Sequence, residues 1–214
     1  KVLGADAIAT VAGRGYRFTL APEETDAFAQ ATAPPNHNLP AQVAQFIGRE
    51  RDLADLRAML QSHRLVTLTG VGGIGKTRLA LQLATIVGPE FADVVRFADL
   101  APLADPRLVA DAVASAAGVA QESGRPILDL LAMHFATRRL LLVLDNCEHL
   151  LLACAQVAKA ALQAGPGIAV VATSREPLHV SGEAIYAVAA LSAPDAGQPM
   201  SVQALQEFEA VQMF

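Results

Sequence analysis

Short apolar runs recur along most of this chain, and stretches of helical periodicity fall between them. Residues 64–69, 94–98, 140–144 and 168–172 are dominated by Leu, Val, Ile and Ala and read as buried strands. Residues 50–62 set Leu53, Leu56 and Leu60 on one helical face, and residues 75–86 do the same with Leu79, Leu83 and Ile86. Asp105 is placed to N-cap a helix running through Ala117, with Pro106 at its first position. Residues 126–137 predict another helix and residues 148–162 a long one. Fully apolar strands alternating with helices predict an α/β fold, a parallel sheet covered by helices on both faces.

The first 45 residues follow a different pattern. Residues 7–11 and 16–20 read as two strands around a turn at 12–15, a β-hairpin too small to stand alone. Residues 21–45, rich in Pro, Ala, Asn and Gln, read as a linker. The expected organisation is a partial domain at 1–20, a linker at 21–45 and an α/β domain at 46–214. The chain begins at Lys1 and ends inside an apparent helix, so both ends read as cuts in something longer.

Between the first α/β strand and the helix after it lies Gly70-Val71-Gly72-Gly73-Ile74-Gly75-Lys76-Thr77. This is G-x-x-x-x-G-K-[ST], the phosphate-binding P-loop. Glycines let the backbone approach a phosphate chain closely, and successive N–H groups then point at it. Lys76 supplies a point charge for the β- and γ-phosphates, Thr77 offers a hydroxyl to Mg²⁺, and Arg78 follows in the first helical turn. Gly70, Gly72 and Gly75 also fit the dinucleotide fingerprint G-x-G-x-x-G. Lys76 and Thr77 directly after it favour a nucleoside triphosphate, because a dinucleotide needs neither group there.

Two further strands end in polar groups. The run 140–144 terminates in Asp145, the pattern of a Walker B strand whose carboxylate holds Mg²⁺; the plainer alternative is a helix cap. The next residue is Asn146, an amide that can hold a water but cannot take its proton. Glu148 is the nearest substitute, or else complements the following helix dipole. Slow hydrolysis is therefore expected. After residues 168–172 come Thr173, Ser174 and Arg175, at the strand end where α/β ligands bind. Arg175 is a candidate reader of the γ-phosphate, against the alternative of a surface arginine paired with Glu176.

Composition adds limits. The 214 residues are 53% hydrophobic with a net charge of −5, so no general electrostatic footprint for nucleic acid exists and any DNA contact must be local. Cys147 and Cys154 read as reduced core residues of a cytoplasmic protein. On one helix, seven residues would hold them about 10 Å apart, beyond disulfide reach. No apolar run reaches membrane-spanning length and no signal peptide is visible.

Four segments together carry a resemblance: residues 46–50 (Phe46-Ile47-Gly48-Arg49-Glu50), the P-loop, residues 141–150 and residues 172–178. In them the chain resembles the NB-ARC-like nucleotide-binding domain of the signal-transduction ATPases with numerous domains. It is most similar to bacterial transcriptional regulators in which such an ATPase follows a DNA-binding domain. The resemblance implies an ATP/ADP switch using Mg²⁺. It also implies that Ile47, Gly48 and Arg49 lie against base and ribose, and that lid subdomains follow Phe214. Residues 10–18 resemble the wing of an OmpR-type winged helix, with Arg14 as the DNA contact and the recognition helix before Lys1. DNA and self-association through the ATPase domain are the partners implied, with no membrane. Two other readings stay open: a catalytic P-loop ATPase or phosphotransferase outside transcription, and a DNA-binding module with a degenerate ATPase domain.

Overall fold

The computed structural model describes residues 8–11, 15–18, 37–42, 46–91, 94–191 and 208. By backbone contacts the chain divides into two units, residues 1–35 and 36–214. In the first, β1 (Ile8–Val11) pairs antiparallel with β2 (Gly15–Phe18), Ile8 opposite Phe18 and Val11 opposite Gly15. The expected hairpin is therefore present. Arg14 and its turn lie outside the described residues.

The second unit is built as the apolar pattern anticipates. Its elements are α1 (Glu50–Ser62), β3 (Leu65–Thr69), α2 (Lys76–Val87), β4 (Val94–Asp99), α3 (Val109–Ala117), α4 (Ile127–Phe135), β5 (Leu140–Asp145), α5 (Leu151–Ala164), β6 (Ile168–Ser174) and β7 (Glu183–Ala187). The five strands form one parallel sheet in the order β4-β5-β6-β3-β7. The phosphate-loop strand β3 is thus an interior strand between β6 and β7, and β6 separates it from the Asp145 strand. Both faces of the sheet are apolar because each is covered by helices. On β5, Leu140, Leu142 and Leu144 enter the core under α3, α4 and α5, while Leu141 and Val143 enter the core under α1 and α2. β6 alternates the same way, with Ile168, Val170 and Ala172 on the first side and Ala169 and Val171 on the second.

Several boundaries differ from the sequence expectation. The helix expected from Asp105 begins as a 3-10 turn, Pro106–Leu108, with the Asp105 carboxylate accepting from the Arg107 N–H at 2.9 Å. The long helix expected from residue 148 starts at Leu151, after a separate 3-10 turn, Cys147–His149. The Cys147 Sγ donates to the Leu144 carbonyl at 3.5 Å, and the Cys154 thiol is near enough to perturb it. Both are free and buried, and the Cys154 thiol and burial push the Cys147 thiol up from its ordinary value. β7 carries no run of large apolar residues, and the sequence reading did not anticipate it.

Part of the expected linker lies on the sheet. His37 bridges Val95 in parallel fashion, and the Asn38 side chain donates to the Phe97 carbonyl at 2.8 Å and accepts from the Phe97 N–H at 2.7 Å. Asn38 therefore occupies peptide groups on the open edge of β4 that would otherwise be free for strand pairing.

The turn into β6 is tight. A Cβ on Gly167 would stand 2.6 Å from the Arg138 carbonyl oxygen, and one on Gly165 would stand 2.7 Å from that of Ala136. Gly88, closing α2 in helical conformation, would meet only the Val95 methyl at 3.4 Å. Gly167→Ala should destabilise the chain by about 1–3 kcal/mol in urea unfolding. Gly88→Ala should be neutral, or stabilising by up to about 1 kcal/mol.

Candidate functional site

Strands buried on both faces can carry polar groups only where they leave the sheet, and here the carboxyl ends do so together. Thr69 ends β3, Asp99 ends β4, Asp145 ends β5 and Ser174 ends β6. The phosphate loop leaves β3 at this edge. Gly70, Gly73 and Gly75 hold φ of +150°, +79° and +96°, values that favour glycine. A Cβ on Gly73 or Gly75 would meet nothing within 4 Å, so the space beside the loop at these residues is open.

α2 begins at Lys76 with Gly75 as its N-cap, with no side-chain cap and no acidic residue in the first turn. Its leading N–H groups therefore face the hollow, together with the positive end of the helix dipole. Lys76 is buried and donates from Nζ to the carbonyls of Gly70 at 2.8 Å and Val71 at 3.1 Å. The ammonium is folded back on the loop it would serve.

Asp145 is tied to the loop directly. The Thr77 hydroxyl donates to its Oδ1 at 2.8 Å and lies 3.1 Å from Oδ2. The Thr173 hydroxyl donates to Oδ1 at 2.6 Å and itself accepts from the Asn146 N–H at 2.9 Å. Thr173 thus fills the gap that β6 leaves between β3 and β5. The sequence reading quoted Thr173 without assigning it a role; its signal is a hydroxyl at the last turn of an apolar strand. Asp99, opposite Asp145 in register, was also missed. Burial pushes the Asp145 carboxyl above its ordinary value, the two hydroxyl bonds oppose this, and the nearby carboxylates of Asp99 and Glu148 add to the rise. Asp145 makes no helix-capping bond, so the plainer alternative for it is not what the structure contains.

Arg175 also reaches the loop. Its Nη2 lies 3.4 Å from where a Cβ on Gly72 would stand, and its Nε donates to Glu148 Oε1 at 3.2 Å. Its ion-pair partner is Glu148 rather than Glu176. Asn146 adopts left-handed backbone, φ +66°, which sends the chain from the strand straight into the turn carrying Glu148.

On the opposite flank, Gly48 and Arg49 both hold positive φ, at 68° and 64°, immediately before α1. The buried Arg49 guanidinium donates to the Asp52 carboxylate at 2.9 Å, the Ile74 carbonyl at 2.9 Å and the Ala189 carbonyl at 3.0 Å. Arg49 therefore joins the start of α1, the phosphate loop and the chain leaving β7. Tyr186 on β7 donates its hydroxyl to Asp52, and burial raises that phenol. The structure so brings together Gly70, Gly72, Gly73, Ile74, Gly75, Lys76, Thr77, Asp145, Glu148 and Arg175, with Arg49 bonded to the loop at Ile74. Ile47 and Gly48 are half-buried beside Arg49, and Arg78 is half-buried on α2.

A magnesium ion fits this donor set. One carboxylate and one hydroxyl, both hard oxygen donors, converge beside a hollow open to phosphate oxygens. Among the described residues no cluster of three or more His, Cys, Asp or Glu occurs, so a metal held wholly by such side chains is not built there. Nor is any helix among them long and apolar enough to cross a membrane.

Comparison with known proteins agrees with this geometry. The fold is an α/β P-loop NTPase fold. Cdc6p from Pyrobaculum aerophilum superposes with a TM-score of 0.52 over 72% of this chain and 48% of that one, at 18% identity. In sequence, 140 residues, 65% of the chain, are 46% identical to a Mycobacterium bovis protein named as an HTH-type transcriptional regulator, of which they cover 16%. Over 191 residues, 81% of the chain, identity is 31% to the regulatory protein AfsR of Streptomyces griseus, of which 19% is covered. The chain thus spans less than a fifth of these regulators' length. No family model matches. The relatives carry transcriptional-regulator names, and the fold is that of P-loop NTPases.

The raised Asp145 carboxyl has a definite sign. Its folded pKa lies above the unfolded one, so the folded chain binds the proton more tightly between the two values. Stability from this group therefore falls as pH rises through that window, and the cost is fully present above the folded pKa. Asp145→Asn keeps an acceptor for both hydroxyls and removes the charge. It should raise the thermal midpoint of the nucleotide-free chain at neutral pH and flatten the pH dependence just above the ordinary carboxylate range. Thermal melts from pH 4 to 8 check both.

Proposed function

We propose that this chain is an ATP/ADP-binding regulatory switch module of a DNA-binding transcriptional regulator, of the NB-ARC-like kind, with slow ATP hydrolysis controlling DNA-binding output. The observation that carries the reading is the 2.8 Å contact between Thr77 and Asp145, beside an uncapped helix start and the Lys76 ammonium. A triphosphate would take the loop and α2 N–H groups, and Lys76 would exchange its two loop carbonyls for phosphate oxygens. Thr77 and Asp145 would hold Mg²⁺, which neutralises phosphate charge when bound. Ile47, Gly48 and Arg49 would lie on the base and ribose side. Arg175, poised over Gly72, would register the γ-phosphate.

In hydrolysis a water oxygen bonds to the γ-phosphorus while the bond to the β-bridging oxygen breaks, its electron pair leaving with ADP. The water's proton needs an acceptor. Asn146 cannot take it, and Glu148 already accepts from Arg175. Both facts favour slow turnover, as a switch requires, over the second reading of a fast catalytic ATPase or phosphotransferase. The hairpin at residues 8–18 is proposed as the wing of an OmpR-type winged helix, with Arg14 at the DNA backbone or minor groove. The relatives' regulator names support this assignment. Self-association through the ATPase domain and a cytoplasmic location complete the proposal.

Native mass spectrometry of the purified chain should find ADP or ATP bound, and no nucleotide mass under any loading condition would refute the reading. Lys76→Ala should weaken ATP binding by at least about tenfold in calorimetry, from loss of one charge-assisted bond; unchanged affinity would refute the site assignment.

A further inference from the structure

The ion pair between Glu148 and Arg175 joins two groups that the nucleotide reading treats separately. The Arg175 side chain is 67% exposed and the Glu148 side chain 17%. Glu148 is therefore the fixed member and Arg175 the movable one. Glu148 Oε1 accepts from Arg175, and Glu148 Oε2 is buried without a hydrogen-bond partner among the described residues. Among the described residues Arg175 is thus the one donor to this carboxylate. The same guanidinium turns its Nη2 toward Gly72 in the phosphate loop. One planar fork faces the carboxylate at one end and the phosphate hollow at the other.

We propose that Glu148 is a damper on Arg175, holding the guanidinium in a charge-neutral pair that a γ-phosphate must compete against. The proposal rests on the nucleotide reading above and specifies how its ATP-versus-ADP discrimination is set. Two effects act in the same direction. The carboxylate lowers the positive potential that Arg175 presents to the loop. Withdrawing Arg175 leaves a mostly buried carboxylate without its donor, which opposes release. One effect acts oppositely: the pair restricts the rotamers of Arg175 and so pre-orients it. An arginine this exposed is weakly restrained, so the electrostatic effects dominate. ADP lacks the group that competes and is little affected. Glu148 therefore raises the level of ATP needed to engage Arg175, and engagement of Arg175 frees Glu148 Oε1 at the moment a γ-phosphate is present.

Calorimetric titration of the full 214-residue chain with Mg²⁺ and either ADP or a non-hydrolysable ATP analogue tests this. Glu148→Gln should raise the ratio of analogue to ADP affinity by about two- to five-fold, the range for a partly exposed ion pair. The increase should vanish in an Arg175→Gln background. Glu148→Asp draws the carboxylate back by one methylene and should give a smaller rise in the same direction, which serves if Glu148→Gln folds poorly. An unchanged or lowered ratio, or a rise that persists without Arg175, overturns the damper while leaving the nucleotide reading intact. Failure of the parent chain to bind either nucleotide overturns both.

Discussion

A strand buried on both faces can tolerate a charge only at its last residue, and that constraint sets Asp145 at the carboxyl edge of the sheet, beside the phosphate loop. β5 runs through five apolar residues before Asp145, and its flanks are filled by two separate cores. The carboxylate that closes it is buried, held by two hydroxyls from different elements. Such a group is stabilised by hydrogen bonds and destabilised by burial, and the balance leaves it reluctant to ionise. A divalent cation at this position would reverse that balance, because the cation replaces lost water with a full opposite charge. The strain at Asp145 and its fitness for a metal are two aspects of one placement.

The connection between β3 and β5 is indirect. β6 lies between them, so a carboxylate on β5 and a hydroxyl at the start of α2 meet only because the sheet's carboxyl edge is level across three strands. Thr173 on the middle strand binds the carboxylate and the following peptide N–H together. Its loss would leave Asp145 with one hydroxyl donor and the Asn146 amide without this acceptor.

Much of this was legible in the chain, for reasons that differ by element. The phosphate loop and the Asp145 strand are local patterns in which residue type and spacing dictate the chemistry. Alternation of buried faces on β5 and β6 follows from a period of two. Other features depend on contacts between distant residues. β7 exposes Ile185 and alternates weakly, so it reads as irregular chain until it pairs with β3. Asn38 sits in a stretch whose composition suggests a free tether, yet its amide matches the peptide at Phe97 on an open strand edge. The chain turns at left-handed Asn146 on leaving β5 and breaks again at Leu150, whose φ of −134° separates the turn at Cys147 from α5. Hydrophobic periodicity does not register such a change of direction.

Arg49 makes the widest of these long-range contacts. Its guanidinium holds the carbonyl of Ile74 within the loop and that of Ala189 just beyond β7. The Val188 N–H donates to the Thr69 carbonyl at 2.8 Å, and the Val188 carbonyl oxygen lies 3.2 Å from where a side chain on Gly70 would begin. The polypeptide therefore departs from the sheet stitched to the phosphate loop on two sides. Residues 188 and 189 are therefore fixed by direct bonds to the end of β3 and, through Arg49, to the loop, with no long relay of side chains between them.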